Sequence, residues 1–290
     1  MDWRKGRRSD NVVDARGGGG GMRFGGGKGL GLGAILLIVG IGWLTGQDPL
    51  QILGQLTGQM QQTQQAPARG SAPPANDEQA QFVASILGDT EDTWKALFAQ
   101  AGRQYREPKL VLFSGQVNSA CGLASSAVGP FYCPGDQRVY LDMSFFREME
   151  TRFAAAGDFA QAYVIAHEIG HHVQTLLGVS AKVDAARRAG QRLEGDNGLL
   201  VRQELQADCL AGVWAYQAQK RLNWLEPGDV EEALNAANAI GDDRLQHKAQ
   251  GRVVPDSFTH GTSAQRVRWF KTGFAAGDVN RCDTFTARNL

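Results

Sequence analysis

The chain has 290 residues, 42% of them apolar, with 30 basic and 30 acidic side chains. That length allows one or two domains, the apolar share excludes wholesale disorder, and zero net charge argues against nucleic acid as a partner. The balance is uneven: residues 1–28 hold seven Lys/Arg against three Asp, so they carry +4 and the remainder carries −4.

Residues 1–28 read as a basic leader. Eleven of the 37 glycines fall between Gly17 and Gly33 without a G-X-Y period, which excludes collagen and predicts no packed core there. Residues 29–46 (GLGLGAILLIVGIGWLTG) carry no charge. As a helix they would span about 27 Å, enough for a hydrocarbon core, with Trp43 at the far end as an interfacial aromatic. A buried core helix and a cleaved signal peptide are the alternatives, but the leader is long and no small-x-small site follows closely. The expectation is an uncleaved single-pass anchor in a lipid bilayer. The basic residues place the N-terminus in the cytoplasm and everything beyond residue 46 outside, periplasmic or extracellular. Residues 47–78 form a Gln/Pro/Ala-rich linker, and the domain is expected over 79–290.

Within it, Phe82, Ile86, Trp94, Leu97 and Phe98 predict a helix over 79–101 with a Gly-Asp break at 88–89. Lys109–Phe113 (KLVLF) and Arg138–Leu141 (RVYL) read as strands, with one or two more short strands between them. Asp158 reads as an N-cap with Gln161 three residues on. The helix it opens runs over 159–177 and stops at Gly178. Ala162, Ala166, Ile169, Val173 and Leu176 form its buried face. Further helices are expected at 199–220 and 229–239. Strands come first and helices later, so the fold class is α+β.

The four cysteines, Cys121, Cys133, Cys209 and Cys282, show no zinc spacing. Outside the cytoplasm an even number favours two disulfides. Cys121–Cys133 would close a short loop and Cys209–Cys282 would tie the C-terminal tail to a central helix. Four buried thiols are the alternative.

Residues 167–171 read His-Glu-Ile-Gly-His inside the predicted helix. His167 and His171, at i and i+4, project from one face and can hold one zinc ion. Glu168 lies beside the metal, placed to take a proton from an activated water. Gly170 leaves room for close packing. In RQELQADCLAG, Glu204 supplies a third ligand. Asp208, one turn on, can accept a hydrogen bond from the second nitrogen of a ligating histidine. A solvated acidic face is the alternative, and the apolar residues around them speak against it. His172 reads as structural, and His247 receives no role.

HEIGHH, ELQADCLAG and THGTSAQR, together with the RGRRSDNV start, resemble the bacterial neutral zinc metallopeptidases of the YpfJ type over nearly the whole chain. The resemblance implies a zincin fold of the Glu-ligand type, with the HExxH helix under a small mixed sheet whose edge strand binds substrate as an added strand. His260 and Arg266 repeat the His-x5-Arg spacing of membrane-anchored zinc proteases of that type. This implies that His260 donates a hydrogen bond to the oxyanion, and that Arg266 orients it or helps bind the oxyanion. The leading expectation is a membrane-anchored zinc endopeptidase acting on peptide or protein substrates. The alternative is a non-catalytic zinc-stabilised module that binds a peptide or partner in the cell envelope. Glu168 favours the enzyme, because a binding module needs the ligands but not the base.

Overall fold

This computed structural model describes residues 1–18, 70–126, 129–153 and 155–290. The expected anchor at 29–46 and most of the linker lie outside the described residues. Among the described residues no helix is long and apolar enough to cross a membrane.

A 3-10 turn at Trp3–Lys5 leads to strand β1 (Val12–Asp14). Helix α1 (Glu78–Gln100) opens where the Asp77 side chain accepts from the Ala80 N–H. Then come β2 (Lys109–Phe113), β3 (Gln116–Ser119), β4 (Gly122–Ser125), β5 (Phe131–Cys133) and β6 (Arg138–Asp142). The helices α2 (Ser144–Phe153), α3 (Asp158–Leu177), α4 (Val179–Arg188), α5 (Leu199–Leu222), α6 (Asp229–Ala239), α7 (Asp242–Gln250) and α8 (Ser263–Ala276) complete the fold.

The main sheet has the order β1-β2-β6-β5. β1, β2 and β6 are parallel, and β5 runs antiparallel to β6. Alternation along the strands sends Leu110, Leu112, Val139 and Leu141 into the helical core. Val111, Phe113 and Tyr140 face the other way, toward Val117 of the β3–β4 hairpin. With both faces covered, KLVLF and VYL read as continuous apolar runs. The disulfide Cys121–Cys133 ties the hairpin to β5, and Cys209–Cys282 ties the tail to α5. Both pairs are those expected. Two helices longer than a single turn, α7 and α8, flank the loop that carries His260.

The leader departs from expectation. Residues 1–18 are part of the domain, not an excluded tail. β1 pairs with β2 in register Val12↔Leu110 to Asp14↔Leu112. The Trp3 ring packs edge-on against Phe82 with centroids 5.6 Å apart, and the Trp3 carbonyl accepts from Ser85 Oγ at 2.6 Å. Ser9 and Asn11 donate to Glu91, a carboxylate buried in α1, at 2.6 and 2.9 Å. Few apolar residues signal this packing because the leader docks mainly through hydrogen bonds. Leader and domain therefore share one sheet.

Two local expectations change for the same reason. Gly88 does not break α1. A Cβ there would lie 2.5 Å from the Arg7 carbonyl oxygen, so the glycine is where the leader backbone approaches the helix. Asp158 does not cap α3; Gly157 occupies the N-cap, and the Asp158 carboxylate accepts from the Met1 ammonium at 2.9 Å instead. Glu226 and Asp229 also meet this ammonium, at 3.0 and 3.2 Å. Burial works against its charge, but the hydrogen bonds to Asp158 and Glu226 outweigh that and push its pKa up to about 10.

Candidate metal centre

Helix α3 (Asp158–Leu177) is capped by Gly157 and by Gly178, where a left-handed residue (φ 83°) ends it and its N–H returns to the Gln174 and Thr175 carbonyls. Its apolar side, with Ala162, Ala166, Ile169 and Val173, lies in the core. His167 and His171 share the face directed toward α5. A Cβ on Gly170 would stand 3.0 Å from the Ala207 carbonyl oxygen, so glycine there lets α3 and α5 pack closely. This approach brings Glu204 and Asp208, one turn apart on α5, against the two histidines.

Glu204 Oε2 lies 3.2 Å from His167 Nε2, and Oε1 lies 3.4 Å from His171 Nε2. One donor atom from each of the three residues falls within 4.8 Å of the others. The remaining imidazole nitrogens are already engaged. His167 Nδ1 donates to Asp208 Oδ1 at 2.8 Å, and His171 Nδ1 donates to Gln174 Oε1 at 2.9 Å. These bonds fix the tautomers that leave both Nε2 lone pairs directed at one point. Two such imidazoles and one carboxylate are a donor set that fits a zinc ion with an open position. Burial opposes the charge of Glu204, but the neighbouring His171 and His167 hold its carboxyl well below the usual range, so it is ionised as a ligand must be.

Asp208 is fully buried and accepts four hydrogen bonds. His167 Nδ1 (2.8 Å), the Tyr163 hydroxyl (2.5 Å) and Arg266 Nη2 (2.9 Å) reach Oδ1, and Arg266 Nε reaches Oδ2 at 2.9 Å. Burial alone would raise its pKa; Arg266 and His167 bring it down to about 2. Arg266 is 2% exposed, and its remaining nitrogen donates to the Ile240 carbonyl. Its guanidinium is thus committed to Asp208, where the resemblance implied a role on His260 or the oxyanion.

The donor atoms open onto a cleft of about 420 Å³, lined also by Glu168, His260 and the segment from Gly129 to Tyr132 that enters β5. Glu168 carries no ligand duty and stands at the cleft wall. His260 is half exposed, and its Nδ1 lies 3.2 Å from Asp242 Oδ1. Asp242 Oδ2 also accepts the backbone N–H groups of Thr259, His260 and Gly261 at 2.7, 2.6 and 3.1 Å. Asp242 therefore fixes both the loop and the ring, and its hydrogen bond raises the His260 pKa against the effect of burial.

Sequence reasoning did not single out Asp242, Gln174 or Tyr163 as partners of the site. Gln174 could have been found, since it lies three residues beyond His171 on the same helix face. Asp242 opens α7 and reaches His260 eighteen residues on, across that helix and the loop after it, a separation that no periodicity marks.

The family model described as "Putative neutral zinc metallopeptidase" matches residues 1–285. "Uncharacterized protein YpfJ" of Escherichia coli K12 is 51% identical over 292 residues, covering 98% of this chain and 99% of that protein. "Uncharacterized protein Mb2605" of Mycobacterium bovis is 44% identical over 268 residues, covering 89% and 86% respectively. "Uncharacterized protein Rv2575" of Mycobacterium tuberculosis gives the same figures, 44% over 268 residues, with 89% and 86% covered. No solved structure matches. The HExxH helix, the Glu204 carboxylate facing it from α5 and the match across both leader and domain agree: the chain belongs to the neutral zinc metallopeptidase family.

Proposed function

We propose that the protein is a zinc-dependent endopeptidase, with zinc held by His167, His171 and Glu204. Bound there, zinc supplies a Lewis acid that polarises the scissile carbonyl and acidifies a water molecule. Glu168 takes the proton from the attacking water and delivers it to the leaving amine. His260, oriented by Asp242, whose hydrogen bond raises its pKa, donates to the carbonyl oxygen as that oxygen gains charge. Arg266 acts at one remove: it holds Asp208, which holds the His167 ring. The peptide lies along the outer edge of β5, which has no strand partner on that side among the described residues. Phe145, Val164, Ile240 and Leu245 line the cleft, so a bulky apolar side chain next to the scissile bond is the preferred substrate feature.

The observation that carries this reading is Glu168, a carboxylate without ligand duty in the same cleft as three converging ligand atoms. A module that merely binds needs the ligands and has no use for the base. We also place the catalytic domain outside the cytoplasm and the chain at a membrane. Two disulfides and the uncharged 29–46 segment support this.

The test uses full-length protein, metal analysis and an unbiased peptide library. One zinc per chain and cleavage beside apolar residues are expected. Glu168→Gln keeps every ligand and should keep zinc and melting temperature, while turnover falls by about 10²–10⁴. A Glu168→Gln protein that still cleaves at the wild-type rate would overturn the assignment, and unchanged function in a binding assay would favour the non-catalytic module.

A further inference from the structure

His172 follows the second histidine of the motif and has no part in holding metal. Its side chain is fully buried on the side of α3 that faces the sheet. Its Nε2 lies 2.6 Å from the Arg106 carbonyl oxygen, three residues before β2. A carbonyl can only accept, so Nε2 carries the proton and Nδ1 offers a lone pair. The Tyr132 hydroxyl, 3.1 Å from Nδ1, therefore donates to it. The Tyr105 and Tyr132 rings meet the imidazole edge-on, at centroid distances of 5.6 and 5.5 Å, and keep it from turning.

Tyr132 is the middle residue of β5 and lines the cleft. β5 is three residues long and pairs on one side alone, with β6. A strand that short is weakly held by its ladder, so its height above α3 depends on what its inward side chain meets. That side chain meets His172. Residues 171 and 172 thus send neighbouring side chains in different directions, one to the metal site and one to the strand above it.

We propose that His172 is a positioning residue for the substrate-binding edge: through Tyr132 it sets the distance between β5 and the metal ligands. The inference rests on the peptidase reading for what β5 binds, though not for the contact itself. If the strut holds the edge in register with the cleft, loosening it weakens substrate binding more than it slows chemistry.

The experiment uses full-length protein in three variants. Tyr132→Phe removes the hydroxyl and keeps the ring. His172→Leu removes both hydrogen bonds. His172→Gln keeps one acceptor and one donor at similar separation. Amide hydrogen exchange at residues 131–133 is read together with KM, kcat and zinc content. For Tyr132→Phe and His172→Leu, exchange at 131–133 should quicken and KM rise by about 3- to 10-fold, the size of one lost neutral hydrogen bond. Zinc content and kcat should stay near wild type, and His172→Gln should recover most of the loss. Unchanged exchange and unchanged KM in Tyr132→Phe would overturn the proposal, as would a fall in melting temperature with KM unaltered. If the wild type cleaves no peptide, the peptidase reading fails, while exchange at 131–133 still decides whether His172 holds the strand.

Discussion

Asp208 gathers four donors on one buried carboxylate, and the Arg266 guanidinium is the only full charge among them when His167 is a neutral ligand. Removing one partner of such a pair leaves a buried charge uncompensated. Arg266→Ala should therefore destabilise the fold by about 3–5 kcal/mol and weaken zinc binding, measured by denaturant unfolding and metal titration. Full stability with a loss confined to kcat would instead return Arg266 to the oxyanion. His260 behaves differently, because its task requires a proton. The hydrogen bond to Asp242 raises its pKa, with Glu204 adding to the effect and Arg266 opposing it. The protonated form is lost as pH rises through that elevated value, so activity should fall on the alkaline side. Asp242→Asn keeps an acceptor for the loop amides but removes the charge. The alkaline limb of kcat should then move to lower pH. An unmoved limb would show that another group sets it. His167, Glu168 and His171 are legible because one helix spells them in consecutive turns. Asp242 is not, because its link to His260 exists only after α7 and α8 have packed.

Among the elements, the leader changes the energetics most. Trp3 is 8% exposed and sits against Phe82 on α1. Trp3→Ala should cost about 3–5 kcal/mol, the usual price of truncating a buried aromatic, read as a shift in unfolding midpoint. A surface tail would show no shift. A fragment beginning at residue 76 would lack β1 and leave Glu91 without Ser9 and Asn11, so it is a poor substitute for the full chain. The long helices were legible from their apolar spacing, and KLVLF and RVYL as short apolar runs. The three-residue strand β1 was not, since a strand of that length shows at most one alternation, and of the strands between KLVLF and RVYL only their presence was read, as one or two where the structure has three. The Gly88 signal was present but ambiguous, because glycine inside a helical pattern marks either a break or a close approach.

For the molecule as a whole, the fold class follows from the order of elements and the disulfide pairing from an even count of cysteines with a short loop between Cys121 and Cys133, whereas the place of the first 18 residues does not follow. β1 is also joined to the start of the domain: the Asp14 N–H donates to the Ser71 carbonyl at 2.7 Å, and the Ser71 N–H returns to Asp14 at 3.3 Å. The chain thus leaves the domain and re-enters it at neighbouring points on one sheet edge. A path with both ends on one side of a surface crosses it an even number of times, zero included, whatever lies between. With β1 in place, a single crossing between residues 18 and 70 would cost the sheet its first strand. In intact cells, cysteines introduced at exposed Arg4 and Arg288 should react with an impermeant maleimide from the same side. Labelling from opposite sides would mean that the membrane-bound chain gives up β1, and that the pairing Val12↔Leu110 belongs to the protein before insertion.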